Sequence, residues 1–171
     1  FIKMNRISLI YKRRWRPAPA GKLMNIRNYM RIEFPSLPEN VSFARACVGA
    51  FVAQLDCTLE EIEEIKLVVS EAVSNCIIHA YDNNGNKKIV VMASIGDERS
   101  LEIMVDDFGK GIADIKQAME PTYSSDVSRM GMGFTFMKAF MDDVEVRSMV
   151  GEGTSVTLRR KFMYHDREAL A

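Results

Sequence analysis

Cysteine and histidine are scarce in this chain, and their scarcity removes whole classes of chemistry. Only Cys47, Cys57 and Cys76 occur among 171 residues, odd in number and scattered, without the paired spacing of a zinc site or a disulfide framework. They read as packing residues of a protein from a reducing cytoplasm. With His79 and His165 as the only histidines, neither histidine-based zinc chemistry nor a Ser-His-Asp triad has enough to build on. No apolar run reaches the length of a membrane span, and the basic N-terminus lacks the continuous apolar stretch of a signal peptide. The expectation is a soluble, cytoplasmic protein. Gly-x-x-x-x-Gly-Lys-Ser/Thr, a post-strand Gly-x-Gly-x-x-Gly and His-Arg-Asp are also missing. A Walker loop, a dinucleotide fold and a protein-kinase catalytic loop are therefore unsupported.

Acid is absent from the beginning. Residues 1–30 carry Lys3, Arg6, Lys12, Arg13, Arg14, Arg16, Lys22 and Arg27 with no Asp or Glu, so the balance of 23 basic and 23 acidic groups hides a remainder of 15 basic against 23 acidic. Such a body disfavours nucleic acid, whose affinity rests on Lys and Arg, and suits a protein partner with basic patches. The first segment starts at Phe1 and holds Pro17-Ala18-Pro19-Ala20-Gly21 before Met24 and Met30. It reads as a flexible basic leader over 1–29, vector-derived or an upstream extension, with a lipid- or nucleic-acid-binding arm as the alternative. One folded domain is expected over 30–163, with a tail over 164–171.

What is present follows two periods. Arg31 to Phe34 suggests a short first strand. Pro38-Glu39-Asn40 then introduces a helix with Phe43, Cys47, Ala50, Phe51 and Leu55 on its buried stripe. Thr58 with Glu61 has the capping-box spacing and opens a long helix, buried through Ile62, Ile65, Val69, Ala72, Val73, Cys76 and Ala80 and ended by Asp82-Asn83-Asn84-Gly85. Lys88 to Ile95 and Leu101 to Val105 are strands joined by a polar turn. Ile112 to Glu120 has a helical pattern, and the polar, glycine-framed stretch from Pro121 to Arg129 is a candidate lid. Phe134 to Met141 is a helix, and Val144 to Met149 with Ser155 to Phe162 makes a last hairpin around Gly151-Glu152-Gly153. Hairpins with helices between them predict an α+β two-layer sandwich, a mixed, mainly antiparallel sheet covered on one face by helices.

Three stretches carry chemistry. Glu71, Asn75 and His79 follow one edge of the long helix's apolar arc. There Glu71 could accept a proton from a hydroxyl or water, and the Asn75 oxygen could hold Mg²⁺ beside substrate phosphates. Taken alone, the same pattern also fits a solvated helix edge. Asp107 shares parity with Leu101, Ile103 and Val105 and should point inward, where a carboxylate needs hydrogen-bond donors. The glycines of Asp107-Phe108-Gly109-Lys110-Gly111 fit a close approach to a ligand or simply a turn. Gly131-Met132-Gly133 precedes a helix whose free amides favour an anion, although a tight loop-to-helix junction would look the same.

In their order and spacing these stretches resemble the GHKL ATPase superfamily. Ser42-Phe43-Ala44-Arg45, Ile65 to Asn75, Gly131 to Met137 and Phe140-Met141-Asp142-Asp143-Val144 narrow the resemblance, over residues 30–162, to the anti-sigma F factors of spore-forming bacteria. The resemblance implies a Bergerat-type ATP-binding fold and a homodimeric serine-protein kinase. Such a protein inhibits a sporulation sigma factor and phosphorylates an anti-anti-sigma protein with Mg-ATP. Carried onto this chain, Glu71 matches the general base, Asn75 the Mg²⁺ ligand and Asp107 the reader of the adenine amino group. Gly109 and Gly111 match the turn beside the base. Ser124, Ser125 and Arg129 lie in the ATP lid, Gly131, Met132, Gly133 and Phe134 at the phosphates, and Thr154 beside the adenine. The lid departs from the family in being slightly shorter and in having Ser124-Ser125-Asp126 where Thr-Thr-Lys is usual. The alternatives are a sigma-sequestering protein without kinase activity and the catalytic domain of a histidine kinase.

Overall fold

The computed structural model describes residues 24–120 and 133–163. Five strands, β1 (Ile26–Pro35), β2 (Lys88–Gly96), β3 (Ser100–Asp106), β4 (Asp143–Met149) and β5 (Gly153–Lys161), form one sheet in the order β1-β2-β3-β5-β4. Every pairing is antiparallel. Helices α1 (Asn40–Val52), α2 (Leu59–Asn75), α3 (Ile115–Ala118) and α4 (Gly133–Phe140), with short 3₁₀ turns at Ala53–Leu55 and Asp97–Arg99 and a π turn at Cys76–Ala80, complete the described elements.

Period-two alternation decides which sheet face is covered. Leu101, Ile103 and Val105 of β3 join Ile89, Val91 and Ala93 of β2 and Val156 and Leu158 of β5 in the core, against Val48 and Val52 of α1, Ile65, Val68, Val69, Ala72 and Val73 of α2, and Met137 of α4. Each fully buried aliphatic chain contributes roughly 1.5–3 kcal/mol relative to exposure. On the other face Arg159 of β5 binds Glu102 at 2.7 Å, Asp143 at 2.5 Å and Glu145 at 3.1 Å, tying three strands together through charge.

The start of α2 is fixed chemically. Both halves of the capping box form, Glu61 N–H donating to Thr58 Oγ1 at 3.1 Å and Thr58 N–H to the Glu61 carboxylate at 2.9 Å. Before it, Asp56 takes a left-handed conformation with φ 55°, which separates α1 from α2. At its far end α2 widens into a π-helical turn, Cys76–Ala80, closed by Tyr81 N–H on the Cys76 carbonyl at 3.1 Å.

Some boundaries differ from the sequence reading. Strand β1 begins at Ile26, ahead of the expected Arg31, because its pairing with β2 continues through Asn28 and Tyr29. The buried face of α1 is centred on Ala44, Val48, Phe51 and Val52, while Phe43 is 47% exposed. Gly49 allows this rotation, since a Cβ there would lie 3.0 Å from the Lys66 stem on α2. The expected helix over 112–120 shrinks to α3, because Asp114 is extended and caps Gln117 N–H at 3.0 Å, which fixes the helix start there; Ile112, ahead of it, donates its N–H to Ser148 Oγ at 2.7 Å.

Candidate functional site

Helix α2 lays the site out along its length. Glu71 and Asn75 stand one turn apart, both half-buried, as residues four apart on one helical face must. The first residue of α4 meets them there. A Cβ on Gly133 would lie 3.1 Å from Glu71 Oε2 and 3.3 Å from Asn75 Nδ2, so any larger residue would press on both side chains. A carboxylate, a side-chain amide and the N-terminus of an eight-residue helix therefore converge. Unpaired amides and the helix dipole at such an end favour an anion.

The second centre lies past the end of α2, where β3 runs out. Asp107 is only 5% exposed, the inward position its parity requires. Its Oδ1 accepts Gly109 N–H at 2.9 Å and Thr154 N–H at 3.1 Å, while its own N–H donates to the Thr154 carbonyl at 2.9 Å. Burial pushes the Asp107 carboxyl above its ordinary range, although the amides of Gly109 and Thr154 and the Cys76 thiol oppose that shift. Cys76, the first residue of the π turn, is itself pushed well up by burial and then by the neighbouring Asp107. A buried carboxylate held by backbone donors on one oxygen has capacity left on the other for a donor group.

The turn after Asp107 is held from three sides. Gly109 lies against the end of the π turn, where an added Cβ would sit 2.2 Å from the Ala80 carbonyl oxygen, which also accepts Lys110 N–H at 3.2 Å. Gly111 has φ 73°, a left-handed conformation unfavourable to other residues, and lies against the Met149 carbonyl. Tyr81 braces the turn, its hydroxyl accepting Phe108 N–H at 2.6 Å and donating to the Lys88 carbonyl. Thr154 is buried, with its Oγ1 2.8 Å from Ser148 Oγ.

Of the residues expected from sequence, Glu71, Asn75 and Gly133 meet at one centre, and Asp107, Gly109 and Thr154 at the other, with Gly111 closing the turn. Phe134 is half-buried at the start of α4, against the core. Ser124, Ser125, Arg129, Gly131 and Met132, and the whole of the expected lid from Pro121 to Arg129, lie outside the described residues. Sequence reasoning missed Tyr81, Ser148 and Gly153, and took Cys76 only for packing. Ser148 could have been found by counting back across the hairpin, since it faces Thr154 in the β4–β5 register. No local signal marks Tyr81.

The donor set also bears on a metal. Among the described residues no three His, Cys, Asp or Glu gather into a cation cage. One side-chain oxygen, as Asn75 offers, fits Mg²⁺ that keeps its waters and shares a nucleotide's phosphates.

The family profile described as histidine kinase-like ATPase domain matches residues 34–160. Among curated proteins, the anti-sigma F factor of Clostridium acetobutylicum is 47% identical over 139 residues, covering 80% of this chain and 96% of that one. The anti-sigma F factor of Clostridium beijerinckii is 50% identical over 137 residues, 79% of this chain and 95% of the relative. That of Heyndrickxia coagulans is 47% identical over 137 residues, covering 79% and 93%. Among solved structures, the RsbU and RsbW domains of a Mycobacterium tuberculosis protein share the fold with TM-score 0.59 at 18% identity, over 78% of this chain and 32% of that one. A sheet closed on one side by α1, α2 and α4, a carboxylate-amide pair one helical turn apart and a buried aspartate at the end of a central strand thus coincide with sequence kinship over most of the chain, which belongs to the anti-sigma F factor family of histidine kinase-like ATPases.

Proposed function

We propose that this protein is a serine-protein kinase and anti-sigma factor, which binds a sporulation-type sigma factor and phosphorylates a serine of an anti-anti-sigma protein with Mg-ATP. The observation that carries the reading is the pairing of two centres along one helix. Glu71 and Asn75 stand at Gly133, and Cys76, immediately beyond Asn75, opens the turn that reaches Asp107. A helix rises about 1.5 Å per residue, so the span fits one nucleotide with its base at Asp107 and its phosphates at α4.

Each side chain then has a task. Asp107 accepts a hydrogen bond from the adenine amino group, held in place by the amides of Gly109 and Thr154. The amides at the start of α4 face the phosphates, and by the family resemblance the lid residues Ser124, Ser125, Arg129, Gly131 and Met132 would meet the same phosphates. Asn75 would hold Mg²⁺, which supplies charge neutralisation between the phosphates when bound. Glu71 orients the serine hydroxyl of the protein substrate and takes its proton. Phosphoryl transfer runs through a loose transition state, so this positioning counts for more than basicity.

The partners of this reading are a sigma factor, an anti-anti-sigma substrate and a second copy of the chain, all in the cytoplasm. No described helix is long and apolar enough to cross a membrane. The deciding experiment incubates the protein with labelled ATP and a candidate anti-anti-sigma protein and maps the modified residue. Phosphoserine on the partner is expected. Label on His79 or His165 instead would point to histidine-kinase chemistry, and nucleotide-dependent sigma binding without any transfer would leave only sequestration. Asn75→Ala should weaken nucleotide binding in Mg²⁺ and change it little in EDTA, as calorimetry in the two buffers would read.

A further inference from the structure

A serine hydroxyl has one proton to give and two lone pairs to receive, and Ser148 spends all three. Ile112 N–H donates to Ser148 Oγ at 2.7 Å, the Gly153 carbonyl takes the Ser148 proton at 3.1 Å, and Thr154 Oγ1 lies 2.8 Å away. With the only proton committed to a carbonyl, the third contact closes only if Thr154 donates. Thr154 then has no proton left for anything else and can only accept. Ser148 and Thr154 are register partners across the β4–β5 hairpin, so their side chains share a sheet face. The backbone N–H of Thr154 is already bound to Asp107.

We propose that Ser148 is a specificity-positioning residue: by taking the Thr154 proton it sets the base pocket to two adjacent acceptors, Asp107 and Thr154, which admit an exocyclic amino group and reject a carbonyl in the same place. The inference deepens the nucleotide reading above and rests on it. The logic is that of any site built for one hydrogen-bond sense, where a ligand of the opposite sense leaves buried acceptors facing an acceptor. Ser148 acts through Thr154 and touches no base itself. Because the same oxygen holds Ile112, one residue past Gly111, the hydroxyl also ties the base pocket to the chain segment that runs on to α3.

The test uses ATP and ITP, which differ only at the purine edge that carries the amino or carbonyl group at C6. Dissociation constants for both are measured by calorimetry on the whole chain. The wild-type protein is expected to prefer ATP, and Ser148→Ala should shrink the ATP-to-ITP ratio about tenfold, because the freed Thr154 proton can meet a carbonyl with one ordinary hydrogen bond. Adding Ser148→Ala to Thr154→Val should move the ratio no further, since no hydroxyl remains to be polarised. Ser148→Cys, which is slightly larger and replaces the strong hydroxyl by a weak thiol, should shift the ratio in the same direction and serves if the alanine variant does not stay folded. Equal weakening toward both nucleotides, or a ratio change that persists in the Thr154→Val background, would overturn the proposal. A wild-type protein that binds neither nucleotide would overturn the pocket reading and this inference together, whereas wild-type ATP binding with an unchanged ratio in Ser148→Ala would overturn this inference alone.

Discussion

At the scale of single residues, Glu71 and Asp107 are both carboxylates, and the proposed function gives them different roles because their surroundings differ. Glu71 stands half-buried on a helix edge beside the start of α4. Removing a positioned base costs roughly 10²–10⁴ in turnover, so Glu71→Ala should lose that much phosphotransfer while ATP affinity changes little. A transfer assay beside a binding assay separates the two, and an unchanged rate would remove Glu71 from the base role. Asp107 is different, because burial raises its pKa in the folded protein. A group whose folded pKa is raised binds its proton more tightly folded than unfolded, so its ionised form costs stability above that pKa and the cost vanishes as pH falls through it. Asp107→Asn, which keeps an oxygen for Gly109 and Thr154, should therefore melt at or above the wild-type temperature at pH 7 while losing ATP binding. The advantage should fade in acid. A wild-type protein that melts above the variant at neutral pH and loses that lead in acid would reverse the sign of the argument.

Elements carry these residues to their places, and here the chain was unevenly legible. Alternation along β3 announced the inward Asp107, and Thr58 with Glu61 announced where α2 starts, because both signals are local. The face of α1 was not legible in the same way. Its apolar residues span a broad arc, and the face that is buried, Ala44 and Val48 instead of Phe43 and Ala50, brings Gly49 against the Lys66 stem of α2. Helix α3 was overestimated because Asp114 is held extended as its N-cap, a boundary that the apolar pattern over 112–120 does not mark. Tyr81 was invisible because it joins segments far apart in sequence, whereas Ser148 was within reach of the hairpin count from Thr154. The same locality makes α2 testable by itself. Thr58→Ala removes the acceptor of Glu61 N–H, which costs about 1 kcal/mol and for a chain of this size lowers the melting temperature by roughly 2–4 °C. Thermal denaturation followed by circular dichroism would show it. Because Glu71 lies more than three turns downstream of the cap, phosphotransfer at low temperature should stay near wild type.

Across the whole molecule, the proposed base pocket is a joint between segments distant in the chain. Cys76 and Ala80 come from the turn after α2, Asp107 and Gly109 from the end of β3, and Ser148 and Thr154 from the last hairpin, while Tyr81 binds Phe108 to Lys88 at the start of β2. A ligand that fills such a joint holds all of these elements in their native arrangement, so it stabilises the global fold instead of one loop. Mass action sets the size of the effect, about 2.7 kcal/mol at a hundredfold excess over the dissociation constant, or roughly 5–10 °C in melting temperature for a domain of this size. Mg-ATP should raise the single melting transition by that much. Gly109→Ala tests whether the rise passes through the joint. Its new Cβ would fall 2.2 Å from the Ala80 carbonyl, forcing the Asp107 turn away from the π turn and separating the carboxylate from its donors. The variant should fold with a lower melting temperature and respond to Mg-ATP weakly or not at all, while its capping box and sheet pairing are untouched. A full nucleotide-dependent rise in Gly109→Ala would mean that the nucleotide's stabilising contacts lie elsewhere, because no arrangement of that turn keeps both the added methyl and the Asp107 geometry.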